Sequence, residues 1–504
     1  MIEDAIIKKI TKECKKLMYS RECIISDDSL ASTKRRLGEL YNEYGYVPVL
    51  SVLSQIWSFE KAVLYYEKDY YAPCSREIKT VATSYHSTFN GGVERVNAEL
   101  MELWVRMGLR VVLFTETPES DSDYPYPSSV KRIIIPPFSD MENRLSAVEK
   151  HLFAEQIDCF VNHDWTELGS LWECVLAKKL GIPYIQYCHG HFSWCLDYGY
   201  PFFYQPRFFK FCDIVVALSE ISAKFFQICG CRTVLANNPV PSDLLKVTDP
   251  SELNSKNVVM IGRVSKEKYP VEALRIFKIV HDKIPEARFD IVGDGDMLEV
   301  AKQFVLDNHL ESSVLFHGNK GIMELADYYR NASCVLFTSK MEGYPMTVLE
   351  TKAYGLPLVM YSLPYLSLVK DGKGVLSSSV GDINSMANNI IKLMEDDEFR
   401  KKKGKESRES FNSFVSYDLR MVWEFIFESC EGVINDRMGI FYDPSKVDDD
   451  DKQLIPVILD KINRGQALIR IKYEESREYR LGKLALMIPR FIKKFFVSIF
   501  VRKL

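Results

Sequence analysis

The period of apolar and polar positions changes repeatedly along the chain, and the changes lay out an alternation of strands and helices. From Thr80 onward, short β-branched runs are followed by longer stretches in which apolar residues recur at helical spacing. That alternation predicts parallel sheets with crossover helices. The expected strands before about residue 240 are 80–84, 111–114, 133–135, 159–162, 184–187 and 214–217; a second series follows at 258–261, 289–292, 314–316, 334–337 and 358–361. Between the two series, Asn237-Asn238-Pro239-Val240-Pro241-Ser242-Asp243 is a cluster of turn formers that fits neither a helix nor a central strand. It predicts a boundary between two Rossmann-like, doubly wound parallel-sheet domains, 79–240 and 241–410, facing a cleft. Ligands of such sheets sit beyond the carboxyl ends of the strands, so the cleft is the expected site.

The flanks read differently. Residues 1–78 carry helix-forming segments and an apolar stretch over 46–59, which predicts a helical N-terminal extension. Residues 411–440 predict a C-terminal helix that crosses back, and 441–504 a C-terminal extension that opens on the acids Asp448 to Asp451.

Composition narrows the class. A chain of 504 residues with 47% apolar and 27% charged residues is a soluble globular protein of two or three domains. Lys and Arg number 65 against 69 Asp and Glu, a balance of −4 that asks for no nucleic-acid partner. The first 16 residues lack the continuous apolar core of a secretory signal, so a cytoplasmic location is expected. The 12 cysteines form no CxxC, and Cys188, Cys195, Cys229 and Cys231 have poor spacing for zinc. No metal is expected, and the thiols read as buried and free. No run of roughly 18 apolar residues offers a membrane span.

Chemistry-bearing residues cluster just after expected strands. Gly91 and Gly92 follow the first strand and open an amphipathic helix marked by Val93, Val96, Leu100, Leu103, Trp104 and Met107. Free N–H groups and the dipole there favour an anion such as a diphosphate, with a tight strand-to-helix turn as the alternative. Arg263 and Lys268 follow the first strand of the second half. They suit a diphosphate clamp, arginine as a planar fork and lysine as a point charge, unless they are solvated surface charges.

The segment Thr338 to Glu350 contains Glu342, Gly343, Tyr344, Pro345, Met346 and Thr347 ahead of Glu350. A helix is predicted over 345–354, with Pro345 in its first turn and Gly355 past its end. Glu342 then lies just before the helix and Glu350 more than one turn inside it, so both can border one crevice. Carboxylates accept from the vicinal hydroxyls of a ribose and a hexose, while the N–H groups of Met346 and Thr347 are free for phosphate oxygens. The alternative is a helix-start acid at Glu342 and a solvated acid at Glu350. His189, just past a strand of the first half, either hydrogen-bonds a donor sugar or is structural. Gly293-Asp294-Gly295 lacks a third glycine at dinucleotide spacing and reads as a close turn lining the nucleotide cleft or as a plain turn.

Together these motifs resemble the retaining glycosyltransferases of family 4, also called glycosyltransferase group 1, over about residues 79–430. The resemblance implies the two-domain GT-B fold and a metal-independent, retaining hexosyltransferase (EC 2.4) that needs no cofactor beyond its nucleotide-sugar donor. It implies that Arg263 and Lys268 clamp the diphosphate, Glu350 binds the ribose, Glu342 contacts the donor sugar, Gly92 lies beside the phosphates and His189 near the reacting sugar. Tyr344-Pro345-Met346 departs from the Phe-Gly frequent in the family.

Residues 480–504 carry seven basic residues, Arg480 to Lys503, and no acid, interleaved with Phe491, Phe495, Phe496 and Phe500. This tail predicts peripheral attachment to the anionic inner leaflet, or else a helix docked on the protein. Attachment suits a glycan or lipid-linked acceptor and a place in cell-surface polysaccharide biosynthesis. Rival readings are a nucleotide-sugar epimerase or phosphorylase on the same fold, and a non-catalytic, membrane-attached subunit of a polysaccharide assembly complex.

Overall fold

The computed structural model describes residues 4–18, 27–66, 77–89, 91–197 and 201–431. They form two compact units, one reaching Ala236 and resuming at Leu419, the other spanning Asn237–Asp418. Each is built on an all-parallel sheet.

In the first unit the strands are β1 (Thr80–Ser84), β2 (Arg110–Thr115), β3 (Lys131–Ile134), β4 (Cys159–Asn162), β5 (Tyr184–Cys188), β6 (Ile214–Ala217) and β7 (Thr233–Leu235). Their spatial order is β3-β2-β1-β4-β5-β6-β7. In the second unit β8 (Asn257–Ile261), β9 (Arg288–Val292), β10 (Val314–Phe316), β11 (Cys334–Phe337), β12 (Leu358–Tyr361) and β13 (Val375–Ser378) lie in the order β10-β9-β8-β11-β12-β13. Both orders reverse direction at one place, between β1 and β4 and between β8 and β11. Helices leave the two neighbouring strands toward opposite faces there, which opens a crevice at the carboxyl ends.

The central strands form because both faces are covered, so they read as unbroken apolar runs. β1, β4, β5 and β6 are buried along their whole length. β7 and β13 escape that pattern. Leu235 is exposed in β7, and β13 alternates buried and exposed positions, as befits strands at a sheet edge.

Helix Gly92–Arg106 buries Val96, Leu100, Met101 and Trp104. Trp104 meets Trp423 edge-on at 4.7 Å, and Phe427 lies 6.3 Å away. Those partners sit on helix Leu419–Cys430, which is thereby sealed to the first unit. Instead of one helix from 411, helix Asp397–Val415 ends in the second unit and helix Leu419–Cys430 begins in the first. Residues 432–440 lie outside the described residues. The division after Ala236 falls a few residues before 240 because β7 ends at Leu235.

The N-terminal region is helical: Asp4–Met18, Asp27–Tyr44, Tyr46–Ile56 and Phe59–Tyr66. It packs on the first unit through aromatic edges, Tyr66 on Trp172 at 6.1 Å and Phe59 on Phe208 at 6.3 Å. The second unit's core gathers apolar residues of β8, β9, β11 and β12 with helices Pro270–Lys283 and Ile383–Glu395. The described cysteines are free thiols, all buried except the half-buried Cys229. No described helix is long and apolar enough to cross a membrane.

Candidate functional site

In the second unit, the loop leaving β8 carries Gly262 and Arg263, and the loop leaving β11 carries Thr338 and Ser339. With Lys268 and Thr347 these residues line a small recess of about 30 Å³ at the crevice between the two strands. A larger hollow of about 430 Å³, bordered by Asn237, Ser367, Lys370, Asp371, Ser413 and Phe414, contains none of the residues expected from the motifs. Chemistry rather than volume favours the recess, because it stands where the sheet order reverses.

Lys268 and Glu342 are joined there as an ion pair, with side chains only 22% and 13% exposed. Thr338 Oγ1 donates to the Lys268 carbonyl at 2.7 Å, which ties the lysine's loop to the end of β11. The lysine Nζ also lies 5.7 Å from the centre of the Phe337 ring. The Glu342 N–H points at the Tyr365 hydroxyl at 3.4 Å. Arg263 is different: its side chain is 76% exposed and reaches Glu267 only at 3.6 Å. Its guanidinium is therefore a solvent-facing fork, loosely paired with Glu267, beside a fixed lysine.

Glycines set the position of that fork. Gly293 has φ +140°, and a Cβ on it would stand 1.9 Å from the Gly262 carbonyl oxygen. A Cβ on Gly295 would stand 2.5 Å from the Val264 oxygen. The two loops also exchange Val264 N–H to Asp294 O at 2.9 Å and Met297 N–H to Val264 O at 2.9 Å. Gly293 and Gly295 thus let the Asp294 turn press against the loop that bears Arg263.

Helix Met346–Ala353 starts one residue later than expected, with Pro345 as an extended N-cap that offers no side-chain cap. Its first N–H groups therefore depend on an outside acceptor. Thr347 Oγ1 bonds the Ile261 carbonyl at 3.3 Å, holding this helix start at the end of β8. Gly343 and Tyr344 are buried, and the Tyr344 hydroxyl is enclosed without a hydrogen-bond partner. Burial raises its phenol well above the ordinary range. Glu350 is buried too and accepts the Tyr329 hydroxyl at 2.5 Å, so it is not a solvated acid. Tyr329 in turn stacks on Tyr354 at 5.0 Å.

In the first unit, Gly91 is the extended N-cap and Gly92 the exposed first residue of helix Gly92–Arg106. A Cβ on Gly91 would lie 2.0 Å from Glu94 Oε2. The helix start expected to welcome an anion is therefore overlaid by a carboxylate of its own first turn, which satisfies the dipole locally. His189 follows β5 and shares a 2.8 Å hydrogen bond with His163 Nδ1, its ring stacked on Tyr187 at 4.6 Å. Burial holds both imidazoles neutral: His163 is pushed down to about 3, and His189 falls well below its ordinary value, helped by His163.

The motif reading did not single out His86, His163 or Asp164. The signal that could have found them is positional. His163-Asp164 stands directly beyond β4 as His189 stands beyond β5, and β4 is the strand across the reversal from β1.

A family model described as glycosyl transferases group 1 matches residues 245–410, and one described as glycosyltransferase family 4 matches residues 90–243. Over 169 residues, 32% of the chain, the sequence is 31% identical to the poly(glycerol-phosphate) alpha-glucosyltransferase of Bacillus subtilis (strain 168). Over 298 residues it is 24% identical to the alpha-monoglucosyldiacylglycerol synthase of Streptococcus pneumoniae, covering 53% of this chain and 67% of that one. The chain spans 25% of the Bacillus protein and 45% and 42% of two uncharacterised glycosyltransferases from Methanocaldococcus jannaschii and Haemophilus influenzae. Among solved structures, S. aureus TarM with UDP bound aligns at TM-score 0.58 and 12% identity, covering 70% of this chain and all of that one. Anabaena HepE with UDP and glucose aligns at TM-score 0.55 and 16% identity, with coverage of 70% and 100%.

Proposed function

Because the chain belongs to the group 1 and family 4 glycosyltransferases, with their GT-B fold, we propose that it moves a hexose from a nucleoside diphosphate to a hydroxyl of a glycan or lipid-linked acceptor, with retention and without a metal. The observation that carries this reading is the meeting of Lys268, Glu342 and Arg263 at the strand reversal of the second unit, next to the uncapped start of helix Met346–Ala353. As the bond to the sugar breaks, negative charge grows on the leaving diphosphate. A lysine fixed at the recess, a guanidinium fork and two helix N–H groups are donors aimed at such charge before it develops. Those cations supply what a divalent ion supplies elsewhere.

Glu342 has two tasks in this reading. It fixes Lys268 through the ion pair, and its second oxygen accepts from a sugar hydroxyl. Retention by double displacement requires a carboxylate nucleophile placed against the sugar. Lys268 already engages Glu342 and Tyr329 engages Glu350, so we favour attack on the face that the leaving phosphate vacates. The names of the Bacillus and Streptococcus relatives, an alpha-glucosyltransferase of poly(glycerol phosphate) and a glycolipid synthase, support a cell-surface acceptor and an α-linked product. The UDP in the two aligned structures makes UDP-sugars the first donors to try.

A thermal-shift panel of UDP-, GDP- and ADP-sugars tests the donor class, since a ligand bound only by the folded state raises apparent stability. One class should raise the melting temperature of the wild type and not of Arg263→Ala. Acceptor-dependent release of nucleoside diphosphate separates transfer from epimerisation or phosphorolysis. An Arg263→Ala, Glu342→Ala double variant with full activity would remove the assignment of the site, whereas a wild type that transfers sugar from none of these donors would favour a non-catalytic subunit.

A further inference from the structure

The first unit carries a second constellation at its own strand reversal, which the donor site leaves unused. Asp164, immediately after β4, has a side chain with no exposed surface. Its Oδ1 lies 2.7 Å from His86 Nδ1 and also accepts the His86 N–H at 3.3 Å. Its Oδ2 is enclosed with no partner. His86, just after β1, is pinned by its carbonyl, which accepts the Thr115 hydroxyl and the Glu116 N–H, each at 3.3 Å. Yet its side chain is 47% exposed.

A carboxylate can only accept, so in the neutral imidazole Nδ1 carries the proton and Nε2 offers its lone pair. A buried carboxylate that orients an exposed imidazole is the arrangement by which proteins present an accepting nitrogen to a hydroxyl. The surroundings decide which hydroxyl. Glu94, Glu116 and Glu167 add negative charge around Asp164 and His86, and the buried Arg144, paired with Glu116 and Glu173, offsets part of it but leaves acids in excess. Such a field repels a diphosphate and admits a neutral polyol, while the cations suited to the donor lie in the second unit.

We propose that His86, positioned by Asp164, is the contact for the acceptor: its Nε2 accepts a hydrogen bond from the hydroxyl that receives the sugar. This rests on the glycosyl-transfer reading above for the identity of the hydroxyl, though not for the existence of the polyol site. Asp164 is a positioning residue, and the net effect of the carboxylates around His86 is to raise its imidazole above the ordinary value.

The experiment is histidine-ring NMR on the full chain, with His86→Gln used to assign the His86 signal. Methyl α-glucoside and glycerol serve as neutral hydroxyl probes, and UDP as the donor fragment. In the wild type the polyols should shift the His86 ring and UDP should not. Asp164→Asn should lower the His86 titration midpoint and weaken polyol binding about tenfold, as expected for one lost orienting hydrogen bond. A His86 ring that ignores both polyols in the wild type overturns the proposal, and so does one that answers UDP instead, whatever the variants do. The thermal-shift panel fails or succeeds separately. Donor binding with a silent His86 sinks only this inference, and a responsive His86 without donor binding sinks only the transfer reading.

Discussion

Lys268 and Glu342 show what changes when two candidate residues turn out to be partners. Each was expected to face the donor on its own; paired, each sets the other's position. Removing one partner from a mostly enclosed pair leaves the other charge uncompensated. A double-mutant cycle over Lys268→Met and Glu342→Gln should therefore show a coupling of about 0.5–3 kcal/mol in unfolding free energy. Independent residues would give additive losses. His163 carries a second residue-level consequence. Its imidazole is buried neutral, with a folded value pushed down from 6.5 to about 3. Between those values the unfolded chain binds a proton that the folded chain refuses, so stability falls as pH drops through this window. The contribution is about 1.4 kcal/mol per pH unit for one full proton. Urea unfolding at stepped pH should show that slope in the wild type and a shallower one in His163→Gln.

Elements explain why the glycines after β9 matter without touching a ligand. The turn through Asp294 and the loop through Arg263 come together only because neither Gly293 nor Gly295 has a side chain. Gly293→Ala must push the Gly262 carbonyl away, and with it the base of the Arg263 fork. Gly262 itself has φ +136° but open space where a Cβ would stand, so Gly262→Ala adds backbone strain without a collision. Both variants should lose on the order of 1–3 kcal/mol of stability. Gly293→Ala alone should also abolish the melting shift from the stabilising nucleotide sugar. Equal nucleotide responses from the two would show that the loop contact does not set the fork.

Across the whole molecule, two units share one strand order over six strands, the first adding a seventh, and each places its polar groups at the reversal. The second sets Arg263 and the Lys268–Glu342 pair at its strand reversal, and the first sets His86 and Asp164 among acids only partly offset by Arg144, the division that the proposed donor and acceptor contacts use. The basic, aromatic tail over 480–504 lies outside the described residues, and our reading of it as an inner-leaflet anchor rests on its sequence. Removing those residues should shift the protein from the membrane fraction to the soluble fraction at unchanged melting temperature. An unchanged distribution would leave the tail without that role.

Much of this was legible before any fold was drawn. Apolar runs long enough to be buried on both faces named the central strands, because a parallel strand cannot hide its pattern. Motif order singled out Arg263, Lys268, Glu342 and Glu350, and the fold brings Arg263, Lys268 and Glu342 to the β8–β11 crevice while Glu350 lies inside the following helix. Short edge strands such as β7 and β13 were not legible, since half-exposed positions dilute the signal. Nor were the partnerships: Lys268 with Glu342, Glu350 with Tyr329, Glu94 over Gly91, and His86 with Asp164 are separated in sequence or hidden among ordinary polar residues. Local pattern reports which residues seek burial or a strand end. Which of two neighbouring charges meets which is fixed by how the β1–β4 and β8–β11 crevices bring separate loops together, and that is a property of packing rather than of spacing.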